Sequence, residues 1–200
     1  MARTRSGTRM TYRCIVVDPP WPQQGAGALV GRMGFGDATG ASKPLPYSTM
    51  TVPEIAALPV ADLAHPDGAI CWLWTTNGFL PHAWAVLDAW GFRYTHTLVW
   101  AKAIMGHGIG REVGISTEYV LRAVRGRPTV DRKIRGTWFP WKRQYDERGK
   151  PMHSAKPAGF FELVESHAPG PYVEVFARRA RMGWDAWGDQ APDPIAWAAS

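Results

Sequence analysis

An aspartate followed by two prolines and a tryptophan stands at the end of a short apolar run. The run covers residues 13–17, and Asp18, Pro19, Pro20 and Trp21 follow it. A strand that stops there presents a carboxylate and two carbonyls on residues of fixed φ. These acceptors suit an exocyclic amine, because accepting both of its hydrogens directs the nitrogen lone pair at an electrophile. Trp21 could clamp the ring that carries the amine; the alternative is a turn with a structural aspartate.

Motifs for several other chemistries do not occur in the sequence. Residues 106–110 have two of the glycines of a dinucleotide fingerprint but lack the third. There is no Walker A, His-Glu-x-x-His or Gly-x-Ser-x-Gly pattern, and the six histidines are scattered. Cys14 and Cys71 form neither a disulfide framework nor a zinc pattern. The sequence therefore predicts no metal site.

The elements that must position Asp18 alternate between strands and helices. The pattern predicts strands at 13–17, 69–74, 92–101, 119–124 and 172–176, and helices at 51–58, 80–90 and 157–167. This order is typical of an α/β domain with a mostly parallel sheet, in which ligands bind beyond the carboxyl ends of the strands. We therefore expect Asp18, Thr75, Lys102 and Arg178 near one rim of the sheet.

Positive charge is concentrated in one part of the chain. The whole sequence carries a net charge of +6, whereas residues 101–156 contain thirteen basic and five acidic groups, a net +8. Such asymmetry is expected where a protein meets a polyanion. We predict that Arg132, Lys133 and Arg135 clamp nucleic acid, helped by the nearby Trp138 and Trp141. The alternative is a solvated loop with both tryptophans folded onto the core.

The length of 200 residues fits one domain. We predict a basic tail at 1–12, a single domain at 13–190 and a second tail at 191–200. Loops are expected at 22–46 and 103–116, with a basic excursion at 125–155. No apolar run approaches the roughly 18 residues of a membrane-spanning helix, and no signal peptide is evident. A cytoplasmic protein is therefore expected.

A series of short motifs follows Asp18 in a fixed order. The blocks are 18–21, 46–50, 58–60, 73–76, 89–92, 98–102, 118–121, 125–126, 153–157, 170–178, 183–184 and 188–190. In this order they resemble the MT-A70 family of adenine-N6 methyltransferases, and the resemblance covers about residues 13 to 190.

The resemblance implies a Rossmann-like class I methyltransferase fold, with helices on both faces of the sheet, a permuted motif order and S-adenosylmethionine as cofactor. It implies a catalytic loop formed by Asp18, Pro19, Pro20 and Trp21. The cofactor-binding positions that it implies are Asp18, Ser154, Lys156, Phe176, Arg178, Asp189 and Gln190. The positions that it implies for the target adenine are Tyr47, Trp100, Lys102 and Glu118. The target base is expected to leave its stack and to pack on Trp21 or Tyr47.

These observations favour methyl transfer to adenine N6 in nucleic acid. DNA is preferred because the compact chain resembles bacterial or phage members of the family, for which DNA is the commoner substrate. The same reaction on RNA is one alternative. A non-catalytic nucleic-acid-binding subunit is another, although an intact Asp18-Pro-Pro-Trp21 argues against it. The sequence leaves open whether the protein forms a homodimer.

Overall fold

A seven-stranded sheet runs through the part of the chain that the computed structural model describes, namely residues 10–22, 48–102, 115–149, 152 and 155–197. Its strands are β1 (Cys14–Val17), β2 (Gly68–Thr75), β3 (Arg93–Ala101), β4 (Thr117–Gly126), β5 (Trp138–Phe139), β6 (Tyr172–Val175) and β7 (Trp184–Trp187). They lie in the order β5-β3-β4-β2-β1-β6-β7. All pairings are parallel except the two made by β4. The predicted α/β class is confirmed.

In the described part of the chain, three α-helices and a 3-10 turn pack on the sheet: α1 (Val52–Ala56), α2 (Leu80–Ala89), α3 (Ala158–His167) and the 3-10 turn at Val60–Leu63. Thr51 and Glu54 form a reciprocal capping box at the start of α1. Asn77 has a residue type that favours a cap for α2, but it donates to the Tyr119 hydroxyl instead. None of the helices in the described residues is long and apolar enough to span a membrane.

The core has two layers, one on each face of the sheet. Successive side chains of a strand point to opposite faces, so Ile15 and Val17 join the cluster beneath α2, whereas Cys14 and Val16 join the cluster beneath α3. All eight residues of β2 are buried. This burial on both faces is what a strand in the middle of a layered sheet requires.

Both ends of the predicted domain need correction. Tyr12, assigned to a tail, has no exposed surface and donates from its hydroxyl to Asp185 Oδ2 over 2.9 Å. Trp197, also assigned to a tail, is 7% exposed and packs edge-on against Trp187 at 4.6 Å. A short sequence pattern does not reveal these contacts, because each is made with β7, and the fold alone brings Tyr12 to Asp185, 173 residues away. The predicted loops at 22–46 and 103–116 lie mostly outside the described residues.

Candidate active site

The carboxyl ends of the parallel strands bring four predicted residues to one rim of the sheet. Asp18 follows β1, Thr75 ends β2, Lys102 follows β3 and Arg178 lies beyond β6. The antiparallel strand β4 brings its first residues to the same rim, because Ala101 pairs with Thr117. Glu118 therefore joins the site from the amino end of its strand.

The loop after β1 is held by backbone hydrogen bonds. The Asp18 amide donates to the Val175 carbonyl over 3.4 Å. The Pro19 carbonyl accepts from the Trp21 amide at 2.8 Å, and the Pro20 carbonyl accepts from the Met50 amide at 2.9 Å. Each carbonyl keeps a second lone pair. The loop is thus fixed in place with acceptor capacity remaining.

Asp18 belongs to a chain of four alternating charges. Lys156 Nζ lies 2.9 Å from Asp18 Oδ1 and 3.3 Å from Glu118 Oε2, and Glu118 Oε1 pairs with Lys102. We call Asp18, Lys156, Glu118 and Lys102 the charge chain. The four side chains are 10 to 19% exposed. Two anions and two cations cancel, which lowers the cost of burying them together.

In the charge chain, burial and the neighbouring opposite charges shift the pKa of each group in opposite directions. Burial raises the pKa of Asp18, and Lys156 acts in the other direction. Burial alone would lower the pKa of Lys156, but Asp18 and Glu118 outweigh it and hold the pKa above its ordinary value. Burial would raise the pKa of Glu118, yet the two lysines keep it below its ordinary value. A charged Lys156 therefore favours the carboxylate form of Asp18.

The positions expected to contact the target adenine need revision. Trp100 is 3% exposed, donates to the Trp141 carbonyl over 2.8 Å and packs edge-on against Trp74, so it is a core residue and not a pocket wall. Lys102 and Glu118 lie at the rim but are engaged with each other in the charge chain. Tyr47 lies outside the described residues.

Trp21 also differs from its predicted role. Its ring is 8% exposed and stacks on Phe79, with centroids 5.4 Å apart and planes 13° from parallel. Its indole donates to the Trp74 carbonyl over 2.9 Å. A ring packed in this way has little surface for a nucleobase. We therefore correct the predicted ring clamp: Trp21 anchors the loop that carries Asp18.

A cavity of about 660 Å³ opens beside Asp18. Five of the predicted cofactor-binding residues line it: Asp18, Lys156, Phe176, Arg178 and Gln190. Asp189 lies in the same turn after β7 but is exposed and does not line the cavity. Ser154 lies outside the described residues.

Several cavity residues were missed by the sequence analysis. Those of greatest chemical interest are Glu174, Arg179 and Arg181. Glu174 could have been found, because it lies two residues before Phe176 at the carboxyl end of a strand, and alternate residues share a face. The arginines follow the strand in an irregular turn and have no periodic signal.

The backbone at the end of β6 is strained next to this cavity. Phe176 has a φ of 65°, which is uncommon for a residue with a large side chain. Gly188 follows β7 with a φ of 152°, and a Cβ there would lie 2.9 Å from the Phe176 Cα. The close approach requires glycine at 188. Strain of this kind is concentrated at binding sites.

Glu174 should make the stability of the protein depend on pH. Burial raises the pKa of this carboxyl to about 7, and Asp18 adds to the effect. Because the pKa is higher in the folded state, the stabilising contribution is complete below the ordinary value and is lost as the pH rises through about 7. We expect Glu174→Gln to unfold like the wild type at pH 5 but to be more stable at pH 9, by up to about 3 kcal/mol.

Urea denaturation of the cofactor-free protein at both pH values measures this difference. Glu162→Gln, at an exposed position of α3, controls for the loss of a carboxylate. Equal stability of Glu174→Gln and wild type at pH 9 would contradict the prediction.

The three predicted clamp residues lie away from Asp18. The Arg132 amide donates to the His167 carbonyl at the carboxyl end of α3, whereas Lys156 precedes the amino end of that helix. Ten helical residues span about 15 Å. Arg132, Lys133 and Arg135 therefore border a separate groove and do not reach the cavity beside Asp18. Of the two tryptophans in this segment, Trp138 is 61% exposed, and Trp141 is folded onto the core against Phe139.

The fold and the site define a class of enzyme. A mostly parallel Rossmann-like sheet carries an acidic loop after its first strand, beside a cavity at the carboxyl rim. Among the residues that the structure describes, no three His, Cys, Asp or Glu side chains are grouped so as to hold a metal ion. The MT-A70 family model matches residues 12–190, and the chain belongs to this family. It is a methyltransferase of the adenine-N6 type.

Relatives occur in bacteria, fungi and plants. The type II methyltransferase M.MunI of Mycoplasma is 30% identical over 194 residues, which cover 92% of this chain and 80% of the relative. The N6-methyladenosine RNA methyltransferase MTA1 of Cryphonectria parasitica is 27% identical, with 94% of this chain and 55% of the relative covered. An N(6)-adenosine-methyltransferase MT-A70-like protein of Arabidopsis thaliana is 26% identical. The chain spans 24% of that plant protein.

Proposed function

We propose that the protein transfers a methyl group from S-adenosylmethionine to the N6 amine of adenine in nucleic acid, preferentially DNA. The observation that carries the proposal is the position of Asp18, at the carboxyl end of β1 on the wall of a cavity of about 660 Å³. Family membership supports the reaction type, and the geometry of the rim supports the residue roles that we propose below.

Asp18 is the group that receives the amine. Lys156 contacts Oδ1, so we assign Oδ2 to an N–H of the adenine amine. The carbonyls of Pro19 and Pro20 each have a lone pair for a second N–H. Holding both hydrogens in the base plane directs the nitrogen lone pair out of that plane. The loop thus aligns the nucleophile, which is the principal task for an enzyme whose methyl donor is already reactive.

Lys156 positions Asp18. Its ammonium contacts two carboxylates and lies 5.0 Å above the Trp74 ring, which fixes the side chain from three directions. The ammonium also lines the cavity, so a role toward the carboxylate of the cofactor stays a prediction. Lys102 and Glu118 complete the charge chain and hold Lys156.

The residues of the cavity fit S-adenosylmethionine. Phe176 offers an aromatic surface for the adenine ring of the cofactor, Gln190 offers amide groups for hydroxyls, and Lys156 and Arg178 offer cationic groups for the carboxylate. When bound, the cofactor supplies an electrophilic methyl group on sulfur. Asp189 and Ser154 remain assigned to the cofactor by resemblance alone.

The choice of nucleic acid rests on the relatives. Coverage of 80% of a type II methyltransferase favours DNA, whereas the fungal RNA methyltransferase supports RNA as a second candidate. A non-catalytic subunit would have no need of a carboxylate held by Lys156 at the wall of a cavity.

The test is a methylation assay with three substrates. Purified protein is incubated with S-adenosylmethionine and single-stranded DNA, duplex DNA or RNA, and the nucleosides are analysed by mass spectrometry. We expect N6-methyldeoxyadenosine in excess over N6-methyladenosine, insensitive to EDTA. Methyl groups on another atom would refute the proposed reaction, and equal product from wild type and Asp18→Asn would refute the role of Asp18. Activity that EDTA removes and a divalent cation restores would refute the metal-free mechanism.

A further inference from the structure

A second concave surface lies on the other side of α3 from the cavity beside Asp18. It has a volume of about 1010 Å³, and its wall is formed by residues 132–136, Phe139, Leu163 and Ser166. We call these residues the edge groove. They come from the segment that leads into β5, from β5 itself through Phe139, and from α3 through Leu163 and Ser166. The proposed methyl transfer does not use this surface.

The segment that forms the edge groove is fixed at both ends. At one end the His167 carbonyl accepts from the amides of Asp131 at 2.8 Å and Arg132 at 3.2 Å, and the His167 ring lies 2.6 Å from the Arg132 carbonyl. At the other end the Val99 amide donates to the Thr137 carbonyl, and β5 pairs with β3. These bonds preorganise the groove, so little ordering is required when a ligand binds.

The chemistry of the edge groove is cationic at its margin and apolar within. Arg132, Lys133 and Arg135 are exposed, and none of the described residues that line the groove carries a carboxylate. Ile134, Phe139 and Leu163 are partly buried and pack against the core. A ligand that fits must have repeated negative charges together with flat apolar parts.

We propose that the edge groove binds a single-stranded segment of the nucleic-acid substrate, next to the target adenine. Phosphates would meet the arginines and the lysine, and bases would lie on the apolar floor. In a duplex the bases are stacked inside and only phosphates could reach the groove. The apolar floor therefore favours a single strand. The inference rests on the proposed function for the identity of the substrate.

The edge groove runs along α3 toward the amino end of this helix, which lies next to the active site. It begins near His167 and continues to Phe139, which stacks on Trp141 at 4.4 Å. Trp141 packs on Gly159 in the first turn of α3, where a Cβ would lie 2.7 Å from the indole. Lys156 immediately precedes this turn. About 15 Å of helix corresponds to at most about four nucleotides, taking the 3.4 Å rise of a stacked strand as the shortest spacing. The groove would hold the nucleotides flanking the target.

Binding of an adenine-free strand tests this site without methyl transfer. The probe is a twelve-residue oligothymidylate, measured by fluorescence anisotropy from 50 to 200 mM salt. The test variant replaces Arg132, Lys133 and Arg135 with alanine. The matched control replaces Arg93, Arg125 and Arg127 with alanine, which removes the same charge at exposed positions outside the groove.

We expect the groove variant to lose at least tenfold in affinity and its salt slope to fall by about 2, since each single-strand phosphate contact contributes about 0.7. The control variant should lose much less. Ser166→Glu, which adds an anion on the helix side of the groove, should weaken binding in the same direction. Equal losses in the groove and control variants, or tighter binding of the corresponding duplex, would overturn the proposal.

Two further arms separate this proposal from the proposed function. An oligouridylate of equal length shows whether the groove prefers RNA to DNA; tight binding of either strand supports the site. Asp18→Asn should bind oligothymidylate like the wild type. If the enzyme methylates adenine but the groove variant binds oligothymidylate like the wild type, only the groove proposal is overturned. If oligothymidylate binding depends on the groove residues but the protein does not methylate adenine, the groove proposal is supported and the proposed function is contradicted.

Discussion

Asp18→Asn is expected to reduce methyl transfer by about 10²-fold to 10³-fold, the loss typical of removing one group aligned with the reacting atoms. Asparagine has the same shape, but its amide nitrogen donates where the adenine amine also donates. The substitution further removes the 2.9 Å ion pair that orients the side chain. The loss should fall on kcat, with little change in cofactor affinity. Initial rates with labelled S-adenosylmethionine, and calorimetry of cofactor binding, measure the two quantities.

The fold should survive this substitution. Lys156 keeps Glu118 as a partner at 3.3 Å, so its charge is not left alone in the site. Asp88→Asn, at an exposed position of α2, is the matched control and should retain full activity. A rate within threefold of wild type for Asp18→Asn, with unchanged thermal unfolding, would show that another group orients the amine.

The central strands could be predicted because each one is marked by its own residues. β1, β2 and β6 are short apolar runs bounded by glycine or proline, as buried parallel strands require. The direction of β4 could not be inferred, since a strand has the same pattern whichever way it pairs. β5 and β7 have two and four residues, and they exist as strands only because β3 and β6 offer free edges.

The candidate site was partly predictable for the same reason. Asp18, Lys102 and Arg178 follow strand ends, so the rule that ligands bind at the carboxyl rim placed them together. The pairing of Lys156 with Asp18 joins residues 138 positions apart, and no local pattern encodes it. Trp100 was assigned to the adenine pocket by resemblance, and a motif does not encode the packing that buries this ring against Trp74.

Trp21 shows how a motif residue can differ from its apparent role. An aromatic residue beside a catalytic aspartate suggests a base-stacking surface, and the sequence contains nothing against it. The structure instead buries the ring against Phe79 and bonds its indole to the Trp74 carbonyl. The side chain therefore links the loop after β1 to the end of β2.

Trp21→Ala should lower the free energy of unfolding by about 3–5 kcal/mol, the usual cost of deleting a large buried aromatic ring. Since domains of this kind are stable by about 5–15 kcal/mol, the variant is expected to be close to unfolding at 37 °C. Trp21→Phe keeps a ring on Phe79 but loses the 2.9 Å hydrogen bond, so it should cost about 1–3 kcal/mol. Urea denaturation of both variants measures these differences.

The phenylalanine variant separates anchoring from base stacking. If Trp21 anchors the Asp18 loop, Trp21→Phe loses activity equally on single-stranded and duplex DNA, because misplacement of Asp18 affects every substrate alike. If the ring instead leaves the core to stack on a flipped base, the variant loses activity selectively on the duplex, where flipping costs a few kcal/mol. The burial of 92% of the Trp21 surface predicts the first result. Because Trp21 contacts the chain on two sides and Asp18 lies only three residues before it, stability and turnover should fall together in this pair of variants.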